Sequence, residues 1–132
     1  MKIEEQVLNI SQVQKLIELG FNVRKHSSIY YVPNWVIKWG EDEIQDYDLV
    51  IGELREEDID CIPTLTIGDI IDVLPTKIGK YILNINRRDV SYRRDVSYDS
   101  RTNILFYGYR YRFIDSLFDC LVWVIKQKHI DL

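Results

Sequence analysis

Cysteine, histidine, proline and glycine are all scarce in this chain, and each scarcity removes a class of protein. The two cysteines, Cys61 and Cys120, stand far apart without a C-x-x-C pair, so a zinc ribbon, a disulfide framework and a dithiol redox motif are excluded. Both read as reduced thiols of a reducing compartment. His26 and His129 are not spaced as metal ligands on one element. Three prolines and six glycines in 132 residues are too few for a low-complexity chain. No apolar run approaches the about 18 residues of a membrane span. The opening Met-Lys-Ile-Glu-Glu-Gln has acids where a signal peptide needs a positive flank and an apolar core. The expectation is a cytoplasmic protein with no membrane partner.

Motifs that carry chemistry are missing as well. The chain has no glycine-rich phosphate loop and no serine nucleophile elbow. Asp42, Asp46 and Asp48 lack the fixed offsets, central glycine and closing glutamate of an EF-hand, so a solvated acidic segment accounts for them. Asp69 and Asp72 have the spacing of an acid/base pair, but a helix cap and a solvated helix face explain both. The expectation is a non-enzymatic protein with no catalytic residue, cofactor or metal.

What is present is an ordinary globular composition, 46% hydrophobic and 29% charged, in a length that suits one domain over residues 1–132. The net charge of -4 is unevenly laid out. Residues 41–60 carry ten Asp/Glu against Arg55, whereas 77–112 carry nine Lys/Arg against Asp89, Asp95 and Asp99. Such segregation either steers a partner or neutralises itself internally if the two segments lie side by side.

In chain order, Ser11 and Gln14 have capping-box spacing, and Val13, Leu16 and Ile17 form a helical stripe that closes at Gly20. Residues 28–32 and 34–39 are β-branched and aromatic, and suggest a hairpin with Pro33 at its turn or on an edge. Tyr30, Trp35 and Trp39 are expected to pack in the core or along an edge rather than to form a ligand cage. The acidic segment 41–60 reads as an irregular connection with at most a short strand at 49–51. Thr66 caps a second helix, with Asp69 in its first turn and Ile67, Ile70, Ile71 and Leu74 as its stripe, and Pro75 stops it.

Residues 79–112 read as an antiparallel meander. Tyr81, Leu83 and Ile85 share the face expected to meet the helices. The hexapeptide Arg-Arg-Asp-Val-Ser-Tyr occurs at 87–92 and again at 93–98. Its even period keeps Val90, Tyr92, Val96 and Tyr98 on one face of a strand, so the duplication does not turn the core inside out, and either copy can pair. In the last strand Ile104 and Phe106 oppose a row of Leu105, Tyr107, Tyr109 and Tyr111. The broad apolar stripe of 113–128 supplies a covering helix. The fold expected is α+β, in the order α-β-β-α-β-β-β-α, with an antiparallel sheet of about five strands and helices mainly on one face.

A helix roof over Ile104 and Phe106 leaves an arginine and tyrosine surface on the other side, made of Arg87, Arg93, Arg101, Tyr107, Tyr109 and Tyr111, with Arg110 nearby. Tyrosine and arginine are enriched at interface hot spots, so this face suits a protein partner or a second copy in a homodimer. Guanidinium groups that neutralise phosphates beside rings that stack on bases make single-stranded nucleic acid the alternative partner.

Three phrases, Val-Gln-Lys-Leu-Ile-Glu-Leu-Gly-Phe (13–21), Pro-Thr-Leu-Thr-Ile-Gly-Asp-Ile-Ile-Asp-Val-Leu-Pro (63–75) and Phe-Ile-Asp-Ser-Leu-Phe-Asp-Cys-Leu-Val-Trp-Val-Ile-Lys (113–126), stand in this order with a meander before the last. In this the chain resembles small uncharacterised proteins of Bacteroidetes prophages and mobile elements. The resemblance implies a compact α+β accessory protein and transfers no catalytic or ligand residue. The tandem hexapeptide and the acidic segment depart from the group's usual pattern.

Overall fold

The computed structural model describes residues 2–52, 59–94 and 103–132. Among these, four α-helices and seven strands build an α+β fold with two antiparallel sheets, of three and four strands, in place of the single five-stranded sheet expected.

Helix α1, Ile10–Glu18, begins at Asn9 rather than at Ser11. The Asn9 side chain accepts from the Gln12 N–H at 2.8 Å, and Gln12 Oε1 accepts from the Asn9 N–H at 3.0 Å. Leu8 before the cap and Val13 inside the helix are both fully buried, the pairing expected of a hydrophobic staple. The helix closes at Gly20, where φ is +87°, and the N–H groups of Gly20 and Phe21 return to the carbonyls of Ile17 and Leu16. A single turn, α2 (Val23–His26), leads into strand β1, Ile29–Trp39.

β1 pairs along its whole length with β2, Asp42–Ile51, through the two-residue connection Gly40-Glu41. Gly40 has φ +66°, as the first position of a II′ hairpin turn requires. Two expectations are therefore corrected. Pro33 is not a turn between two strands but lies inside one, beside a register shift between Pro33 and Val36, and Asp42–Ile51, half of the acidic segment 41–60, is a strand rather than an irregular connection. Proline is tolerated at 33 because the third strand, β3 (Ile62–Thr64), reaches β1 only from Ile29 to Tyr31, so β1 is paired on one side there.

Helix α3, Ile67–Val73, has the expected Thr66–Asp69 capping box. Asp69 Oδ2 also accepts from the N–H and Oγ of Ser28, at 3.2 and 2.7 Å, which fastens the helix start to the foot of β1. The carboxylate is occupied as a cap. The segment before α1 is stitched alongside, with Leu8 N–H donating to Leu65 O and the Leu8 carbonyl accepting from Thr64 Oγ1 and Tyr31 Oη.

The second sheet has the order β4 (Lys77–Ile78), β5 (Tyr81–Asn86), β6 (Asp89–Arg94) and β7 (Ile104–Tyr109). The first hexapeptide copy supplies the Arg87-Arg88 turn and most of β6. Arg93 and Arg94 of the second copy extend the strand, and the rest of that copy, with Val96 and Tyr98, lies outside the described residues. Helix α4, Phe113–Lys126, closes the inner face as expected: Ile114, Leu117, Cys120, Leu121, Val124 and Ile125 join Val90, Tyr92, Ile70, Leu16 and Leu65 in one buried cluster. Trp123 lies 5.0 Å from the Phe106 ring and 5.9 Å from the Tyr92 ring, and Tyr92 Oη donates to the Pro75 carbonyl at 2.8 Å.

No helix among the described residues is long and apolar enough to cross a membrane.

Candidate functional site

Strand alternation and the α4 roof together determine what the second sheet presents outward. Phe106 turns toward the helix and Tyr107 and Tyr109 turn away, 51% and 57% exposed; at the start of β7 a register shift sets Ile104, expected under the helix, opposite Arg93, with Leu105 exposed beside it. Directly opposed residues of an antiparallel pair share a face. Tyr107 therefore stands beside Ser91, and Tyr109 beside Asp89. On β5, Ile82 pairs with Arg93 and Asn84 with Ser91, which continues the same outer face. The result is an apolar and aromatic row on β7, a β6 strip in which Ser91 is buried between Asp89 and Arg93, and an apolar residue, Ile82, on β5.

Arginines stand at both ends of this row. At one end the Arg87-Arg88 turn, with Asn86, Asp89 and Tyr109, lines an open depression of about 480 Å³. At the other, Arg93 and Arg94 line one of about 370 Å³ with Ile82 and Asn84. Arg87 adopts φ +56°, the conformation that the first position of its two-residue turn demands and that an L side chain occupies only at a cost. Arg88 lies over the Tyr111 ring, 4.9 Å from its centroid, a cation–π contact that orders both at the rim. Arg93 donates from Nε to Ser91 Oγ at 2.9 Å. The Tyr107 phenol is held above its ordinary value, first by desolvation and then by the charge and hydrogen bond of Asp89, with the Arg93 guanidinium acting against them.

The sequence-derived surface is thus largely brought together: Arg87, Arg93, Tyr107 and Tyr109 lie on it or at its ends, and Tyr111, 82% exposed, borders it beyond the end of β7. Arg110 is turned the other way, with Nε 3.6 Å from Asp119 on α4. Arg101 lies outside the described residues. Arg88 was not singled out from the sequence, because a turn position does not reveal which side of the sheet its side chain serves.

A second feature was misread from the sequence. Beyond Pro33 and Asp46, the β1–β2 hairpin is exposed on both faces and extends as an arm for residues 34–45, roughly 20 Å at about 3.3 Å per residue. Trp35 and Trp39 were expected to be packed, yet they are 55% and 78% exposed. Beyond the register shift at 34–35, Ile37 and Trp39 share one face with their partners Ile44 and Asp42, and Trp35 stands exposed at the shift. Lys38 and Glu43, 3.7 Å apart, are on the other face. Gly40, which ends the β-forming run 35–39, is the one signal that pointed to this turn; the acids after it gave none.

Among the described residues, no group of three or more His, Cys, Asp or Glu side chains converges as a metal site. Comparison with known protein families, curated proteins and solved structures finds no match to this chain.

Proposed function

We propose that the chain is a non-enzymatic interaction protein that binds another protein through the outer face of its second sheet. The observation that carries this reading is the outward row of Leu105, Tyr107 and Tyr109, left uncovered while the helices pack on the opposite face. Exposed tyrosines held by strand backbone bring large contact area with few rotatable bonds, and flanking arginines supply directional donors, the composition of interface hot spots. Exposed apolar rows of this kind mark interaction surfaces.

An accessory role of the sort the prophage and mobile-element resemblance implies belongs to the same proposal, resting on the helix phrases 13–21, 63–75 and 113–126. So does a cytoplasmic setting, supported by two cysteines outside any disulfide. The test is recovery of a discrete partner by the wild-type chain and its loss on Tyr107→Ala with Tyr109→Ala. Equal recovery by both proteins overturns the reading.

Single-stranded nucleic acid is the second reading, favoured by the arginines at the two ends of the tyrosine row. Asp89, opposite Tyr109 on β6 and hydrogen-bonded to Tyr107, weighs against a phosphate track there. A gel shift that weakens with salt and with Arg93→Ala and Tyr109→Ala supports it; binding indifferent to salt does not.

A further inference from the structure

We infer that the partner of the tyrosine face is the arm of a second copy of this chain. The inference rests on the protein-binding reading above and names its occupant. The two surfaces are complementary in charge. The arm, residues 34–45, carries Glu41, Asp42 and Glu43 against Lys38, with Asp46 and Asp48 at its base, whereas the outer sheet face is bounded by Arg87, Arg88, Arg93 and Arg94 around the single Asp89. Among the described residues, internal neutralisation does not use up this complementarity. Among the described residues, the ion pairs join Lys38 to Glu43, Arg110 to Asp119 and Arg112 to Asp115, and none links the arm to the second sheet.

The surfaces also match in apolar character and spacing. The arm presents Ile37, Trp39 and Ile44 on one face with Trp35 exposed at its base, and the sheet presents Leu105, Tyr107, Tyr109 and Ile82. Trp35 and Trp39 are four residues apart, roughly 13 Å in a strand, the same separation as Asp89 and Arg93 at the two ends of β6 where the arginine-lined depressions lie. An indole seated in each depression meets a guanidinium face, the strongest of the cation–π pairings. Arm-to-arm association is disfavoured, because pairing two β2 edges brings acids against acids. When each copy seats its arm on the other the assembly closes as a two-fold dimer; one-way seating propagates.

The test is sedimentation velocity of the full chain across micromolar concentrations at low and high salt, with two variants altered only at exposed positions. The arm variant is Trp39→Ser with Ile44→Ser, and the face variant is Tyr109→Ser with Arg88→Glu; circular dichroism verifies that both fold. The wild type is expected to self-associate more weakly at high salt, and each variant alone to lose on the order of thirtyfold in affinity. Mixing the two variants restores a dimer, since one intact arm then meets one intact face. A wild type that is monomeric throughout, an arm loss unmatched by a face loss, or a mixture that stays monomeric overturns the inference. If the wild type is monomeric while Tyr107→Ala with Tyr109→Ala still abolishes capture of a different protein, the protein-binding reading stands and only the self-partner is wrong.

Discussion

The backbone N–H of Arg110 donates to Ser116 Oγ at 2.8 Å, tying the end of β7 to the first turn of α4. Ser116 is fully buried, and Gly108 packs just below it: a Cβ there would lie 3.1 Å from two atoms of the Phe106 ring and 3.7 Å from the Ser116 carbonyl. The roof is seated so closely that the tyrosines of β7 have no inward alternative. Ser116→Ala is expected to cost about 1–3 kcal/mol by leaving a donor without its acceptor. Gly108→Val costs more by pushing Phe106 and α4 apart. Both are measured as shifts in the urea midpoint.

Among the described residues, two non-glycine residues sit at positive φ, and each is a place where glycine is expected to stabilise. Arg87 has φ +56° in the β5–β6 turn. Lys128 has φ +59° after α4, where its N–H and that of His129 return to the carbonyls of Ile125 and Val124 in a Schellman closure. Arg87→Gly and Lys128→Gly should each raise stability by about 1 kcal/mol. Only Arg87→Gly should also weaken binding at the sheet face, which separates the turn's conformational demand from the arginine's contact role.

Asp69→Ala is predicted to cost about 1–2 kcal/mol, because it removes the reciprocal half of the Thr66 cap and the tie to Ser28 together. Binding by the tyrosine face should be unchanged once the variant is folded. A specific loss of binding at unchanged stability would show that Asp69 does more than fasten α3 to β1.

Alkaline pH should destabilise the protein in two stages. Cys120 is fully buried, and burial, reinforced by the Asp119 carboxylate, pushes its thiol up to about 12. Burial, reinforced by Cys120, likewise raises the Tyr92 phenol well above its usual range. Both groups bind their protons more tightly folded than unfolded. The stability they contribute is therefore complete below the unfolded values, roughly 8.5 and 10, and is lost as pH rises toward the folded ones. The urea midpoint is expected to hold to about pH 8 and then fall, first through Cys120. Cys120→Ala lowers the midpoint overall through lost packing yet flattens the first part of the decline, and Tyr92→Phe flattens the later part.

Much of the helical structure was legible because burial imposes a 3.6-residue period on α1, α3 and α4. Alternation gave the inward set of β5 for Tyr81 and Leu83, but Ile85, expected inward, is exposed near the strand end, and in β7 it held from Phe106 to Tyr109 but not across the register shift before it. The cap of α1 was misplaced because Asn9/Gln12 and Ser11/Gln14 have the same spacing. The staple between Leu8 and Val13 decides for Asn9, whereas Ile10 and Lys15 offer Ser11 none. The arm was hidden for a different reason. A strand solvated on both faces needs no apolar alternation, and an acidic edge resists pairing with other edges, so Asp42–Ile51 lacked the composition by which strands are recognised. The outer sheet face was legible in its tyrosines and in Arg87 and Arg93. Arg110 was misjudged as a neighbour because nothing in the sequence shows that Asp119 draws it to α4.

The most direct measurement is photo-crosslinking from a benzophenone side chain placed at position 107 on the outer sheet face, with position 17 on exposed α1 as the control. A discrete adduct from 107, mapped by mass spectrometry, that is absent from 17 and lost on Tyr109→Ser with Arg88→Glu is the result expected. Equal labelling from both positions, or none from 107, would contradict a binding role for the tyrosine face.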